Sequence, residues 1–590
     1  MGELRSYMVT GNKDTNSRIK HKKTAILIAD ITALIIAFLL ALLCRYISSS
    51  TWQISEVWTM LDGINIIIPI ISVVLYLAIF FLADKESYKL ESQNLLIMVI
   101  YIIRNYLFLF ISLVLVLYLA QRGPYISRLV LGLFMIFGMI LDTVARSVVS
   151  SLINKKLGTL SGIRKGDSAD SRPHLLVFAH YYIPDVASTG QILKELSEGL
   201  LDTFRVTVVC TVPSYTGVIA QQYKTHKFYE EDINNVHVIR ISVPEFSKAD
   251  KMSRIRNILS YFAGAMQVTE MIGDVDYVYS ISQPPILGGM LGVYAKWRKR
   301  AKFVYNIQDF NPEQTMAVKY SDNKLVLGLM MAIDKYSCAH SDLVITVGRD
   351  LGETLEKRFS GKKVPRYTII NNWMDEKKLY PLPLDDPKVS AFRNLHDFGD
   401  DFVIMYSGNI GLYYDLDGIL AVIEKFKPGT RTADGRNVRF VFVGGGSLVD
   451  TLEVYASQHH MDNVVFLPYQ NQSDLIYSLN CADVHWCISA KGIKGVSCPS
   501  KYYGIAAVGK PVLAVLEKGS EIRTIIEETG SGICCDPEDY KAVEDGIRWF
   551  LDNAGSPEFT KMGQRGHKNL MENLTKDISI KKYREAILDC

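Results

Sequence analysis

Four apolar runs occupy the first quarter of this 590-residue chain: Thr24–Tyr46, Ile64–Ala83, Leu95–Ala120 and Leu129–Ile153. Each has about 20–26 residues, the length that an α-helix needs to cross a hydrocarbon core of about 30 Å. Four consecutive runs of that length are rare in soluble folds. The first run is also too long and starts too late for an ordinary cleaved signal peptide. The sequence therefore predicts an all-α, four-helix transmembrane bundle over residues 24–155, after a basic segment, 1–23.

Lysine and arginine residues flank these runs unevenly. They are frequent before the first run and after the fourth, and Lys85 and Lys89 lie in the second loop. The first loop, Ser48–Gly63, has none and carries Glu56 and Asp62. Because basic loops stay on the cytoplasmic side, we expect a multi-pass protein whose two ends and large C-terminal region are cytoplasmic.

Four charged residues fall within or beside the runs: Asp30, Arg104, Asp142 and Arg146. Asp142 and Arg146 are four positions apart, so they share a helix face and are placed to pair. Arg104 is placed to pair with Asp30 or to contact a lipid phosphate. Charges inside a membrane are costly and often functional, but a structural ion pair or a snorkelling side chain explains them equally.

Short apolar segments alternate with helical stretches from residue 173 onward, which is typical of an α/β fold with parallel sheets. A Pro-rich stretch, Tyr380–Lys388, divides them into two series. We expect two Rossmann-like domains facing a cleft, 173–380 and 399–590, with linkers at 156–172 and 381–398 and a last helix that packs back on the first domain. The predicted strands are 174–179, 205–210, 236–241, 276–280, 302–306, 343–346, 402–406, 438–443, 463–466, 483–487 and 511–515.

Open parallel sheets bind ligands beyond the carboxyl ends of their strands. Thr189 and Gly190 begin the helix after the first strand, where free N–H groups attract anions. The same residues would also be expected at an ordinary capped helix that binds no ligand. Asp309 follows the strand 302–306, where a carboxylate can orient or deprotonate a hydroxyl group or simply cap a helix. Glu313 lies in the first turn of the next helix, so its charge is better explained by a favourable interaction with the helix dipole than by a role in catalysis.

Two glycine-rich turns follow strands of the second series: Ser407-Gly408-Asn409-Ile410-Gly411 and Gly444-Gly445-Gly446-Ser447. Glycine lets the backbone approach a phosphate closely. Neither turn has the Gly-Lys-Ser/Thr ending of a Walker loop or the Rossmann spacing. ATP hydrolysis and dinucleotide redox chemistry are therefore disfavoured. Ser500 and Lys501 start a later helix, where the lysine suits a diphosphate. Glu521 is placed to accept hydrogen bonds from ribose hydroxyl groups or to cap the helix that follows it.

Together these motifs resemble glycosyltransferase family 4, which has the GT-B fold, and within it the colanic-acid fucosyltransferase-like subgroup of bacterial polysaccharide enzymes. The motifs keep their order over residues 174–535. The resemblance implies a retaining transfer from a nucleotide-diphosphate-sugar, with a UDP-sugar the expected donor, and no metal or other cofactor. It assigns the donor to Ser407, Gly408, Asn409, Gly411, Gly445, Ser500, Lys501 and Glu521, the phosphate-side loop to Thr189 and Gly190, and the acceptor-side catalytic position to Asp309.

The chain departs from that family at two places. The family's Glu-x7-Glu pair falls on Val496 and Gly504, and the Arg and Lys that often follow the first glycine turn are missing. Lys491, Lys494 and Lys501 are the candidate replacements for the cation, with Lys501 the best placed.

The apolar region resembles, more loosely, the membrane region of polyprenyl-phosphate sugar-phosphate transferases. This implies a polyprenyl-diphosphate-linked acceptor, contact with membrane lipids, the bacterial inner membrane, and a role in capsule, O-antigen or exopolysaccharide synthesis. Two alternatives stay open: a nucleotide-sugar epimerase on the same fold, and a non-catalytic scaffold of an assembly complex.

The amino-acid composition argues against two other classes of protein. Lys and Arg total 65 against 62 Asp and Glu, too balanced for a dedicated nucleic-acid binder. Nine cysteines are too few for a disulfide scaffold. Asp415 and Asp417 have a metal-binding spacing but are better explained by a helix dipole. The sequence does not predict an oligomeric state.

Overall fold

The computed structural model describes residues 13–48, 64–83, 95–119, 128–156, 170–185, 188–247, 250–317 and 323–590. These fall into two compact units. One holds the N-terminal helices and residues 263–273, and the other holds the described parts of 170–262 and 274–590. Residues 1–12, both predicted loops that orient the membrane domain, and most of the linker 156–172 lie outside the described residues.

The four apolar runs are helices: α1 (Lys13–Ser48), α2 (Ile64–Ala83), α3 (Leu95–Leu119) and α4 (Arg128–Lys156). Among the described residues, two stretches are long and apolar enough to cross a membrane, Ile26–Cys44 and Leu129–Arg146, with mean hydropathies of 2.8 and 1.9. Two further apolar stretches are shorter, Ile68–Ile79 and Ile102–Val116. Two candidate spans are therefore supported, and the four-span bundle stays a prediction.

Three of these helices share a buried charge cluster. The Arg146 guanidinium donates to both Asp30 carboxylate oxygens, at 2.6 and 2.9 Å, and lies 3.4 Å from Asp142. The Tyr76 hydroxyl donates to Asp30 at 3.1 Å. The expected pairing of Asp142 with Arg146 is present. Arg104 instead contacts its neighbour Asn105, and Asp30 pairs with Arg146.

The second unit contains two parallel sheets, as the sequence predicts. The first has eight strands in the order β3-β4-β2-β1-β5-β6-β7-β8, and only β3 is antiparallel, to β4. Its strands are β1 (His174–Phe178), β2 (Arg205–Thr211), β3 (Phe228–Ile233), β4 (Val236–Ile241), β5 (Tyr277–Ile281), β6 (Lys302–Ile307), β7 (Leu343–Thr346) and β8 (Tyr367–Ile369).

The second sheet has six parallel strands in the order β11-β10-β9-β12-β13-β14. They are β9 (Phe402–Ser407), β10 (Val438–Val443), β11 (Val464–Leu467), β12 (Val484–Ile488), β13 (Val512–Val515) and β14 (Gly532–Cys535). Helices connect the strands of both sheets, so the central strands are buried on both faces and read as continuous apolar runs.

The connecting helices are α5 (Ser188–Gly199), α6 (Lys251–Met271), α7 (Leu287–Lys299), α8 (Glu313–Ala317), α9 (Lys324–His340), α10 (Arg349–Arg358), α11 (Pro387–Leu395), α12 (Leu416–Ile423), α13 (Val449–Gln458), α14 (Leu475–Asn480), α15 (Lys501–Ala507), α16 (Glu521–Thr529), α17 (Tyr540–Asp552), α18 (Pro557–Asn573) and α19 (Lys576–Leu588).

The predicted strands lie within one residue of observed ones, and three observed strands were not predicted. β3 carries three consecutive acidic residues on an edge strand, β8 has only three residues, and β14 is a short edge strand that begins with glycine. Each lacks the apolar run that marks a central strand. The predicted linker 381–398 also contains α11, whose Val389 and Phe392 pack on β9 and β10.

The last helix, α19, packs on the first sheet. The Tyr583 ring is fully buried in that sheet's core, and its hydroxyl accepts a hydrogen bond of 3.1 Å from the Asn306 amide. The Trp373 ring lies 5.8 Å from Tyr583, edge to face. This contact ties the end of the chain to the strand that leads to Asp309.

We expect the variant Arg146→Met to lose about 3–5 kcal/mol of unfolding free energy, because it leaves Asp30 and Asp142 buried without a cation. The measurement is reversible unfolding of the purified full-length protein in mixed detergent micelles. The neutral triple variant with Asp30→Asn and Asp142→Asn should recover most of that loss. An unchanged unfolding free energy in Arg146→Met would show that the cluster has no structural role.

Candidate functional site

The carboxyl ends of the two sheets meet where the loop after β6 touches the loop after β12. Asp309 and Ser497 form an isolated antiparallel bridge, and the Phe310 amide donates to the Val496 carbonyl at 2.8 Å. Both loops extend from the carboxyl edge of their sheet, where α/β folds bind ligands. This bridge therefore brings the predicted catalytic carboxylate of the first domain against the predicted donor side of the second.

Lys501 lies at this junction with its ammonium group between two aromatic rings. Its Nζ is 3.6 Å from the centre of the Tyr414 ring and 5.1 Å from that of Tyr406. In the part of the chain that the structure describes, no carboxylate lies within ion-pairing distance of this ammonium. Burial lowers the pKa of Lys501 to about 8. A desolvated cation that contacts only aromatic faces is a strong attractor for an anion.

The two glycine turns pack against each other beside Lys501. Gly408 and Gly444 both have φ +148°, a conformation that L side chains rarely adopt. A Cβ at Gly444 would overlap the Gly408 carbonyl oxygen, and a Cβ at Gly408 would lie 2.5 Å from Lys501 Cε. Glycine is thus required at both positions for the turns to nest and for the lysine to reach between them.

The remaining predicted donor residues surround the same place. Ser407 ends β9, and the Asn409 carbonyl accepts a hydrogen bond of 2.6 Å from the Tyr406 hydroxyl. Gly411 is buried in the first turn and Gly445 is half-buried in the second. The exposed Ser500 precedes Lys501 at the start of α15, and its hydroxyl makes no capping bond.

Asp309 is half-buried and faces the same junction. Its amide donates to Ser282 Oγ at 3.2 Å, which fixes the loop. Burial raises the pKa of Asp309, while hydrogen bonds from Ser497 and Gln314 partly oppose the rise. Burial, with the Asp309 charge as the next cause, raises the pKa of Tyr414 to about 12. Since Tyr414 also covers Lys501, the carboxylate and the cation share one neighbourhood.

A cavity of 290 Å³ lies next to Asp309 within the first domain. Its lining is polar and aromatic and includes His180, Tyr181, Thr189, Arg254, Ser282 and Asp309. Thr189 contributes through α5, and its hydroxyl donates to Gln283 at 3.0 Å. A Cβ at Gly190 would lie 3.4 Å from the Tyr181 carbonyl, so the start of α5 packs closely on the loop after β1. The sequence analysis missed His180 and Arg254.

The Glu521 carboxylate accepts hydrogen bonds from residues of the first domain. Its carboxylate accepts from the Arg349 amide at 2.7 Å, from Arg349 Nε at 2.9 Å and from Asn371 Nδ2 at 3.0 Å. These partners belong to the first domain, so Glu521 joins the two domains in this structure. The sequence analysis named neither Arg349 nor Asn371 as a partner of Glu521.

Three other charged residues named in the sequence analysis have local partners. Lys491 pairs with the exposed Glu538 at 2.7 Å, and Glu313 pairs with Arg358. Asp415 occupies the N-cap position of α12, and its carboxylate accepts a hydrogen bond of 3.1 Å from the Tyr540 hydroxyl. The described residues contain no cluster of three or more potential metal ligands.

We expect Gly408→Ala to weaken the binding of UDP or GDP at least tenfold, because the new methyl group displaces Lys501 Cε. Isothermal titration calorimetry of the detergent-purified protein measures this. Gly435→Ala is the matched control: Gly435 has φ +89° with open space around it, so it carries the backbone strain without touching Lys501. Equal nucleotide affinity in both variants would contradict this account of Gly408.

This chain is similar in sequence to a known protein family and to two bacterial proteins. The model of the family "Glycosyl transferases group 1" matches residues 390–569. The probable glycosyltransferase WbjE of Pseudomonas aeruginosa is 26% identical over 347 residues, which cover 58% of this chain and 82% of that protein. The putative colanic acid biosynthesis glycosyl transferase WcaI of Escherichia coli K12 is 24% identical over 396 residues, 64% of this chain and 92% of that protein.

Two solved structures share the fold. Sucrose-phosphate synthase from Thermosynechococcus elongatus has a TM-score of 0.55 at 15% identity and covers 71% of this chain and 100% of its own. Anabaena Alr3699/HepE in complex with UDP and glucose has a TM-score of 0.52 at 12% identity, with the same coverage. The coarser part of the predicted resemblance is therefore confirmed: the chain has an α/β GT-B fold, and its second half contains a glycosyl transferases group 1 domain.

Proposed function

We propose that this protein is a membrane-bound glycosyltransferase of bacterial surface polysaccharide synthesis. It moves a sugar from a nucleotide-diphosphate-sugar, with a UDP-sugar the expected donor, to a polyprenyl-diphosphate-linked acceptor at the cytoplasmic face of the inner membrane. The observation that carries the proposal is Lys501, a desolvated ammonium beside two nested glycine turns and opposite Asp309.

The donor side supports a diphosphate ligand. A buried cation without a protein anion is costly and is stabilised when an anion binds beside it. The adjoining turns are rich in glycine, which has no side chain, so phosphate oxygens can approach the backbone. The relatives WbjE and WcaI are described as glycosyltransferases, and HepE was solved with UDP and glucose. Both point to a nucleotide-sugar.

The reaction follows from this placement. The bond between the sugar anomeric carbon and the β-phosphate oxygen breaks, and an acceptor hydroxyl oxygen bonds to that carbon. Charge collects on the leaving diphosphate, where Lys501 and backbone amides stabilise it. Asp309 orients the acceptor hydroxyl and is placed to take its proton. The family resemblance adds retention of configuration and metal independence to the proposal.

The membrane side supports a lipid-linked acceptor. α1 and α4 each contain a stretch able to cross a bilayer, and we propose that α2 and α3 complete a four-span bundle. Basic residues around these helices favour cytoplasmic ends. An enzyme fixed to the inner face meets a polyprenyl-linked substrate without extracting it from the bilayer.

The decisive experiment incubates membranes that contain the protein with radiolabelled UDP- and GDP-sugars and counts label in the lipid extract. Label from one donor supports a transferase and identifies that donor. A product formed without acceptor would support an epimerase. No label from any donor and no nucleotide binding would support a scaffold.

We expect UDP affinity to fall about tenfold between pH 7 and pH 9 in the wild-type protein. The pKa of Lys501 is lowered to about 8, so the ammonium is lost as the pH rises through that value, and with it the attraction for diphosphate. Lys501→Arg stays charged and should remove the pH dependence, whereas Lys501→Glu should abolish binding. Calorimetry measures the UDP affinity of the wild type and of both variants. A wild-type affinity in Lys501→Glu would show that Lys501 does not bind the donor.

We expect Asp309→Asn to lose at least about a hundredfold in kcat while its affinity for UDP stays within about twofold. Burial raises the pKa of Asp309, so the acid limb of the wild-type pH–rate profile should lie above the usual aspartate range. Asn removes the titrating group and should remove that limb. Undiminished transfer by Asp309→Asn would exclude Asp309 from catalysis.

A further inference from the structure

One face of helix α9 in the first domain is apolar and exposed. Leu325 and Leu329 are 83% and 62% exposed, and Ala332 and Tyr336 are exposed as well. These four residues are spaced four, three and four positions apart, so they lie on one face of the helix. We call this face the α9 stripe. A contiguous apolar surface of this kind marks a contact with another protein or with a membrane.

The opposite face of α9 fixes the rotation of the helix. Asp334 is buried there and pairs with the buried Arg358, and the Tyr305 hydroxyl donates to Asp334 at 2.8 Å. Ser337 and Cys338 are buried on the same side. The stripe therefore cannot turn inward without breaking a buried ion pair, which is strongly destabilising.

An aromatic group extends the stripe onto helix α7. Trp297 is 57% exposed, and its ring lies 6.3 Å from Tyr336 and 5.8 Å from His340, edge to face in both cases. The Tyr336 and His340 rings are 4.0 Å apart. Tryptophan and tyrosine are enriched where proteins meet the boundary between lipid and water, because each combines an apolar ring with a polar group. This end of the stripe has the composition of such a contact.

The charges around the stripe are mainly positive. Both acidic residues of the segment 323–342 are ion-paired, Asp334 as described and Asp342 with Lys296 at 2.8 Å. Basic residues lie at the two ends of the stripe, one at the start of α9 and three directly after Trp297: Lys324, Arg298, Lys299 and Arg300. An apolar face with cations at its ends is complementary to a bilayer surface that carries anionic headgroups.

We infer that the α9 stripe and Trp297 dock on the surface of a bilayer that contains anionic lipids. Helices lie in the membrane interface with their apolar face in lipid and their basic residues among the headgroups. The first domain then has a membrane contact of its own, in addition to the apolar N-terminal helices. The inference shares the membrane with the proposed function, but it does not depend on the transfer reaction.

The test places the full-length protein in lipid nanodiscs and measures quenching of tryptophan fluorescence by brominated phosphatidylcholine. The difference between wild type and Trp297→Phe isolates the signal of Trp297. We expect that signal to fall by at least about half in discs that contain phosphatidylglycerol, because an interfacial ring contacts the lipid chains. Quenching should be weaker in discs of phosphatidylcholine alone, where the basic residues have no anionic partners.

The double variant Leu325→Glu with Leu329→Glu should abolish the quenching of Trp297, because carboxylates are costly to bury in lipid and are repelled by anionic headgroups. Leu395→Glu with Val454→Glu is the matched control. These residues are 75% and 54% exposed on α11 and α13, so the control adds the same charge outside the stripe and should keep wild-type quenching.

Unquenched Trp297 in both lipid compositions would overturn the inference. If the protein is also a dimer in detergent, and the Leu325→Glu with Leu329→Glu variant is a monomer, the stripe belongs to a contact between two copies of the chain instead. Loss of quenching in the control variant to the same extent would also contradict a specific role of the stripe.

Transfer assays separate this inference from the proposed function. Quenching of Trp297 without sugar transfer from any donor refutes only the proposed reaction. Sugar transfer by a protein whose Trp297 stays unquenched refutes only the docking contact. Elution of the protein apart from the discs contradicts both, since both need attachment to a membrane.

Discussion

The candidate site depends on one constraint: a positive charge is withdrawn from water and has no counter-ion in the part of the chain that the structure describes. Lys501 is held between Tyr406 and Tyr414, and its burial lowers the pKa of its ammonium to about 8. Cation–π contacts return only part of the lost hydration free energy. The fold therefore carries a local free-energy cost at Lys501, and under the proposed function a bound diphosphate offsets that cost.

The rest of the donor side is arranged around that lysine. Two glycine turns nest because Gly408 and Gly444 have no side chains, and their nesting leaves the space that the lysine stem occupies. The backbone bridge between Asp309 and Ser497 then brings the first domain's carboxylate to the same point. Glu521 holds the two domains together through Arg349 and Asn371. The sequence assigned Glu521 to the donor, and in this structure its carboxylate accepts hydrogen bonds from the first domain.

Much of the fold followed from periodicity. Central parallel strands are buried on both faces, so their apolar runs are visible in the sequence, whereas the edge strands β3, β8 and β14 lack that signal. Asp309, Lys501 and the glycine turns could be named as candidates because ligands of such sheets lie beyond the carboxyl ends of the strands. Arg254 and His180 were not named as candidates, because the cavity that they line is enclosed by segments distant in the sequence.

The sequence by itself determined the apolar helices, the two α/β series and the residues that follow the strands, because each depends on local composition and spacing. Only the tertiary structure decided that Arg146 pairs with Asp30, that Glu521 pairs across the domains, and that Lys501 has aromatic neighbours and, among the described residues, no carboxylate partner. These outcomes depend on distances between residues far apart in the chain. Electrostatic free energy falls off with distance and depends on burial, and neither quantity can be read from the order of the residues.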